Sequence, residues 1–370
     1  MSNERKIRVG ITQGDTNGVG YEVILKCFTS NDILELCTPI VYGSSKIMNY
    51  HRKALGIQTT QLNTTRHAGY VKESTLNLVE IINEEVKVEL GQPGKQAGKA
   101  AFMALEAAVS DLKKGDIDVL VTAPINKDNI QSEEFSFPGH TEYLETSLGD
   151  GAKALMILCN DKLRVALVTT HIPLAKVAQS INKEDIVEKL RIFNESLQRD
   201  FNIQKPRIAV LGLNPHCGDN GVIGTEEKEI IEPAIQEAND NQILCFGPYP
   251  ADGFFGSNQY LRFDGVLAMY HDQGLAPFKT IAMNDGVNVT AGLPYVRTSP
   301  DHGTGYDIAG QGIASELSMR HAIYTAIDIY RNRKNYDEMY QNPLKKLYFD
   351  KGKDNVVLDL TKIEDEEPLG

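Results

Sequence analysis

Short runs of Val, Ile and Leu recur along the chain, each closing on a Gly, Pro or Asn turn before a stretch with helical spacing. The clearest are KIRVGIT (6–12), VEIINEE (79–85), DVLVTAP (118–124), ALMILCN (154–160), LRVALVTTHIP (163–173) and RIAVLGLNP (207–215). Runs that are apolar on both faces and alternate with helices predict buried parallel strands of an α/β protein. The Ala-rich segment 98–114 carries apolar residues at helical spacing and predicts a packed helix. Segment 183–199 sets Ile186, Leu190, Ile192, Phe193 and Leu197 among charges, the pattern of an amphipathic helix. From 247 to 312 the texture changes to dense Gly, Pro, His and Asn between short apolar pieces, which predicts loops of the kind that build sites. After about Tyr336 the chain turns charged and ends in KIEDEEPLG, expected to be a surface extension.

Length and charge narrow the class. A chain of 370 residues has room for two domains. It has no apolar run of membrane-spanning length and no secretory leader pattern, and its five cysteines show neither paired spacing nor a disulfide framework. A reduced, cytoplasmic protein is expected. The net charge of −12 opposes binding to nucleic acid or to anionic membranes. An anionic substrate would therefore be met by a few local cations.

Three of the eight histidines stand where a strand runs out into a turn: His171 in VTTHIPL, His216 in LNPHCGDNG and His271 in MYHDQG. Ligands of open α/β sheets bind beyond the strand ends, and three imidazoles with an open position suit a catalytic divalent metal, zinc first. Spacings of 45 and 55 residues match no zinc-finger pattern, and any one of these histidines alone is better explained by a turn hydrogen bond, a reading that the three together weaken. Cys217 shows no feature that would activate a thiol and is read as a small buried residue. Gly14, Gly18 and Gly20 follow the first strand, but the dinucleotide fingerprint GxGxxG and the P-loop pattern both fail there. Lys279, Asn288 and Arg297 fall in one short span and together would suit a phosphorylated hydroxy acid, although solvated surface cations explain them equally. His140 and Thr141 follow a Pro-Gly turn, with Thr141 a plain candidate for a helix cap.

Taken in order, PGHTEYLE, VTTHIPL, LNPHCGDNG, IGTEE, GPYPAD, VLAMYHDQGL, GVNVTAGLPYVRTSPDHGTG and DIAGQG resemble the 4-hydroxythreonine-4-phosphate dehydrogenase family over about residues 7–330. GDTNGVGYEV and HGTGYDIAGQGIA are also similar to isocitrate and isopropylmalate dehydrogenases. The resemblance implies a two-domain α/β fold of that type without a Rossmann domain, residues 1–130 plus 275–370 forming one domain and 131–274 the other. It also implies a homodimer whose active site is shared between subunits.

By the same resemblance the metal ligands are His171, His216 and His271, the last contributed across the dimer. Zinc, or else Mg, Mn or Co, would be the ion. Substrate contacts fall on His140, Thr141, Lys279, Asn288 and Arg297, the NAD or NADP contacts on His302, Gly303 and Asp307, and proton transfer on Asp252 or Lys279. The implied reaction oxidises and decarboxylates 4-phosphohydroxy-L-threonine to 3-amino-2-oxopropyl phosphate in vitamin B6 synthesis. A related acid, 4-phosphoerythronate or 4-phosphothreonate, is the first alternative; a phosphate acyltransferase and a non-catalytic ligand binder are the others. The chain departs from the family's Glu-Pro-Ala-Gly loop at Asp15, Thr16, Asn17 and Gly18, and its tail beyond about Arg331 has no counterpart in short members.

Overall fold

The computed structural model describes residues 5–82, 86–132, 135–282 and 284–341. Twelve strands make one sheet: β1 Ile7–Thr12, β2 Cys37–Gly43, β3 Leu62–Thr65, β4 Leu76–Glu80, β5 Val119–Thr122, β6 Leu155–Cys159, β7 Arg164–Leu167, β8 Ile208–Leu211, β9 Cys245–Tyr249, β10 Gly265–Ala268, β11 Val287–Ala291 and β12 Val296–Pro300. Their order is β3-β4-β2-β1-β5-β12-β11-β6-β7-β10-β8-β9. Neighbours from β3 to β12 run parallel, as do those from β7 to β9. The two parallel halves are joined by antiparallel pairs, β12 with β11, β11 with β6, and β6 with β7. The expected α/β class is observed, with a strand order unlike the 3-2-1-4-5-6 arrangement of a Rossmann domain.

Two expectations about the sheet are corrected. The ALMILCN run was expected to pair in parallel, yet β6 is antiparallel to both neighbours, because a run buried on both faces carries no information about direction. The segment 247–312, expected as loops, supplies β12 and β11 at the centre of the sheet and β10 third from its β9 edge. Gly286, Gly292, Pro294 and Pro300 confine β11 and β12 to five residues each and so conceal their period of two.

Helices form where the pattern places them. Lys95–Lys114 buries Ala97, Ala101, Leu105 and Leu112, and Gly115 ends it at φ 76°, the left-handed position that glycine adopts without a Cβ clash. Lys183–Arg199 covers the predicted residues; Asn182 caps it by accepting the Asp185 amide, and Ile186, Leu190, Phe193 and Leu197 are buried. Leu317–Tyr340 packs on the central hairpin, where Thr298 Oγ1 donates to Ala322 O at 2.8 Å. This helix carries the chain four residues past Tyr336, so the charged segment starts as helix rather than as an extension. The acidic end expected from the sequence lies beyond residue 341, outside the described residues. Among the described residues no helix is long and apolar enough to cross a membrane.

Candidate active site

The antiparallel centre sorts its side chains strictly by face. In register, Met156 and Leu158 on β6, Asn288 and Thr290 on β11, and Arg297 and Ser299 on β12 all point one way. Val287, Val289, Ala291 and Val296 point the other way, into the core under the last helix. The first face is the floor of a cavity of about 270 Å³. Its walls come from the residues after β5 (Pro124, Lys127), from the helix His140–Leu148, from His171 beyond β7, and from the helix His271–Ile281. The last of these presents His271, Leu275 and Lys279, at i, i+4 and i+8, along one side.

Arg297 is the centre of the floor. It is 3% exposed, and its nitrogens reach only hydroxyls: Nε and Nη2 donate to Thr122 Oγ1 at 3.2 and 2.6 Å, Nη1 to Thr290 Oγ1 at 3.1 Å. Burial pushes its pKa down to about 10, opposed by the charge of Glu142. Two more groups converge on the same space without partners, His140 Nε2 and Asn288 Oδ1, both shielded from solvent. Burial, with the charges of Arg297 and Lys127, holds the His140 imidazole well below its ordinary pKa, so it is neutral at pH 7. A cavity with a guanidinium that bonds no carboxylate, and beside it an imidazole nitrogen with no partner, is built for an anion, while the acceptor Asn288 Oδ1 suits a hydroxyl or ammonium donor of the same ligand.

Across the cavity His171 and His271 face each other, with ring centroids 6.1 Å apart. His171 Nε2 accepts from Lys127 Nζ at 3.2 Å and its Nδ1 lies 3.8 Å from Glu142 Oε1, while His271 Nδ1 lies 2.6 Å from Asp272 Oδ1. The hydrogen bond from His171 leads in holding the Glu142 carboxyl below its usual range, Lys127 adding to it. The donor chemistry of this pair fits a divalent ion. His216, however, is exposed and does not line the cavity, and among the described residues no group of three His, Cys, Asp or Glu side chains could hold a metal. The pair already close within one chain is thus His171 with His271, although the family resemblance implied that His271 arrives across a dimer; His216 is the one that stays apart.

A second cavity, of about 310 Å³, shares Lys279, Asp301, His302 and Gly303 with the first. Its remaining wall is more apolar, with Val19, Val23, Ala282, Ile308 and Ala314. Lys279 Nζ lies 3.5 Å from Asp301 Oδ1 at the shared wall, and burial raises the Asp301 pKa against that charge. His302 Nδ1 donates to Gly303 O at 3.0 Å, its Nε2 is shielded and unpartnered, and burial lowers its pKa. Val19, at the end of the glycine-rich turn after β1, brings that turn up to this cavity. Gly14 has φ 70° and a Cβ there would meet Pro124 O at 2.4 Å; Gly18 lies against Thr304 O, where a Cβ would come to 2.5 Å. Asp15, in the turn that departs from the family pattern, accepts from Asn129 Nδ2 and Tyr306 OH, both at 2.8 Å, and so ties the turn to the loop after β12.

Of the residues expected from sequence, His140, Thr141, His171, His271, Lys279, Asn288, Arg297, His302 and Gly303 line the two cavities. His216, Asp252 and Asp307 are exposed and line neither. Thr141 is not a cap: Gly139 holds that position, with no side-chain capping bond. Cys217 is half-buried rather than buried, and its thiol is pushed up to about 11, mainly by burial. Sequence reasoning missed Lys127, Thr122 and Thr290. The two threonines carry a signal only in register, since each stands beside Arg297 across a strand pair.

His216 stands in an unusual turn. Residues 216 to 220 all have positive φ, between 43° and 77°, a full left-handed turn in which only Gly218 is glycine. His216 and Cys217 each cost roughly 1–2 kcal/mol in that conformation, Asp219 and Asn220 less.

The model of the pyridoxal phosphate biosynthetic protein PdxA family matches residues 35–326. The chain belongs to this family. It is 60% identical over 365 residues to a 4-hydroxythreonine-4-phosphate dehydrogenase of Bacteroides thetaiotaomicron, covering 98% of this chain and 100% of that protein. A protein of the same name from Sulfurihydrogenibium sp. is 41% identical over 328 residues, 89% of this chain and all of its own length. Among solved structures, 4-hydroxythreonine-4-phosphate dehydrogenase from Klebsiella pneumoniae superposes with a TM-score of 0.76 at 33% identity, covering 89% of this chain and 99% of that one.

Proposed function

We propose that the chain oxidises and decarboxylates 4-phosphohydroxy-L-threonine to 3-amino-2-oxopropyl phosphate with NAD or NADP, in the PdxA step of vitamin B6 synthesis. The observation that carries this reading is Arg297, a buried guanidinium at the floor of a cavity with no carboxylate to answer it. The phosphate or carboxylate of the substrate completes its pairing, and Asn288 and the neutral His140 add hydrogen bonds of fixed direction. His171 and His271 would hold a divalent ion, zinc by ligand chemistry, and His216 of a second copy would supply the third ligand. When bound, that ion supplies Lewis acidity to the substrate hydroxyl and to the carbonyl that replaces it. His302 and Gly303, on the wall that the two cavities share, would hold the nicotinamide, which would accept the hydride. Lys279, which lines both cavities, returns a proton to carbon after carbon dioxide leaves. Asp252 lies outside both cavities of its own chain.

The homodimer contact is assigned to the exposed apolar residues that flank His171 and His216 in the chain. Ile172, Leu174, Val222 and Ile223, beside His171 and His216, are 38%, 71%, 82% and 46% exposed. Apolar side chains grouped around two candidate ligands suit burial against a second copy.

Incubating the purified protein with 4-phosphohydroxy-L-threonine, zinc and NAD should give NADH that a chelator abolishes. Absence of NADH with this substrate, but formation with 4-phosphoerythronate or 4-phosphothreonate, would reassign the substrate while keeping the chemistry.

A further inference from the structure

The left-handed turn at 216–220 needs something outside it to hold it, because four of its five residues are not glycine. A single buried carboxylate occupies the place to do so. Glu227 is 1% exposed; its Oε1 accepts the backbone N–H of Leu213 at 2.8 Å and of Asn214 at 2.6 Å, and its Oε2 accepts Asn214 Nδ2 at 2.9 Å. Asn214 in turn accepts the Cys217 amide through its carbonyl at 3.1 Å. Glu227 itself opens a π-helical turn, Glu227–Ile231, that leads into a regular helix. Such turns persist where a side chain must be re-aimed, since they relinquish regular hydrogen bonding. A Cβ on Gly218 would sit 2.8 Å from Glu227 Oε2, so the carboxylate also lies under the turn's one glycine. From the other side, Gln273 Nε2 donates to Gly212 O at 2.6 Å, fixing the start of the loop to the helix that bears His271.

We infer that Glu227 is a positioning residue for His216: its carboxylate gathers the amides of Leu213 and Asn214 and thereby sets the left-handed turn that presents the imidazole. Glu227 touches neither substrate nor metal. The inference deepens the reading of His216 as a metal ligand and rests on it. The buried carboxylate has two oxygens and three donors, a match that glutamine disturbs because its amide group meets Asn214 Nδ2 donor to donor.

The test uses the full-length protein stripped of metal. Zinc affinity is measured by competition with a chromophoric chelator, and amide hydrogen exchange is followed in 213–220 and, as a reference, in 119–122. For Glu227→Gln we expect zinc binding weakened about tenfold or more, faster exchange at 213–220, and unchanged exchange at 119–122. For His216→Ala we expect zinc binding weakened with exchange at 213–218 close to wild type. Glu227→Gln with wild-type exchange at 213–220 overturns the inference, as does loss of protection at 119–122, which would make Glu227 a residue of the fold at large. If His216→Ala leaves zinc affinity unchanged, the ligand reading falls, and exchange at 213–220 in Glu227→Gln alone decides the positioning role.

Discussion

Arg297 opposes folding while it serves binding. A guanidinium taken out of water with two hydroxyl partners and no bonded carboxylate, Glu142 acting on it only at a distance, is a net cost to the free protein, one that an anionic ligand offsets. Arg297→Met should therefore leave the melting midpoint unchanged or raise it. The same change should lower kcat/KM for the phosphorylated acid by about ten- to a hundredfold or more, the worth of a charge-assisted hydrogen bond. Arg297→Lys should recover little, since a point charge cannot reach both threonines and an oxyanion. A variant that melted several degrees lower with unchanged kinetics would show a structural arginine. The buried imidazoles predict a pH dependence. His140, His302 and His51 all have pKa values held below their ordinary value by burial, so the unfolded chain binds protons near pH 6.5 that the folded chain does not. Their contribution to stability is present above that pH and lost as pH falls through it. Melting midpoints should drop between pH 7 and 5.5, and less steeply in His140→Gln. Asp301, whose pKa is raised, acts in the opposite sense nearer the usual carboxylate range.

Among the elements, the turn after β1 shows what glycine does in the motif that failed as a dinucleotide fingerprint. Gly14 takes a left-handed φ so that the chain can press against the carbonyl of Pro124. Gly14→Ala should cost on the order of 2–3 kcal/mol from strain and close contact, read as a lower melting midpoint at unchanged net charge. The amphipathic and Ala-rich helices were legible in the sequence because their helical spacing runs over many residues, and β1, β5, β6, β7 and β8 because each is a continuous apolar run; β2, β3 and β9 carry no run that set them apart. The direction of β6 was not, because buried runs look alike whichever way they point. The central hairpin was not either: β11 and β12 are short and bounded by Gly and Pro, so their alternation emerges only once Asn288 is set opposite Ser299 and Thr290 opposite Arg297. The candidate site was legible where a residue type is rare and chemical, as with His171, His271 and Arg297. It was illegible where ordinary threonines serve, as Thr122 and Thr290 do.

For the whole molecule, one chain brings together two histidines and leaves the third outside, beside exposed apolar side chains. Leu174→Asp with Val222→Asp should give a monomer by analytical ultracentrifugation that has lost most zinc affinity while keeping its far-ultraviolet dichroism. A double variant that remained dimeric would place the subunit contact elsewhere.

The pairing of β5 with β12 also sets a timetable for synthesis. In register, Val119 meets Val296, 177 residues later in the chain. At about 5–20 residues per second, the ribosome takes roughly 9–35 s to deliver that partner. Throughout that interval the nascent first half carries an open, apolar strand edge, Val119–Thr122, that only the far end of the chain can close. The same central hairpin that floors the cavity thus makes this a protein whose N-terminal half must wait, shielded by chaperones or by its own slow collapse, until its last strand leaves the ribosome.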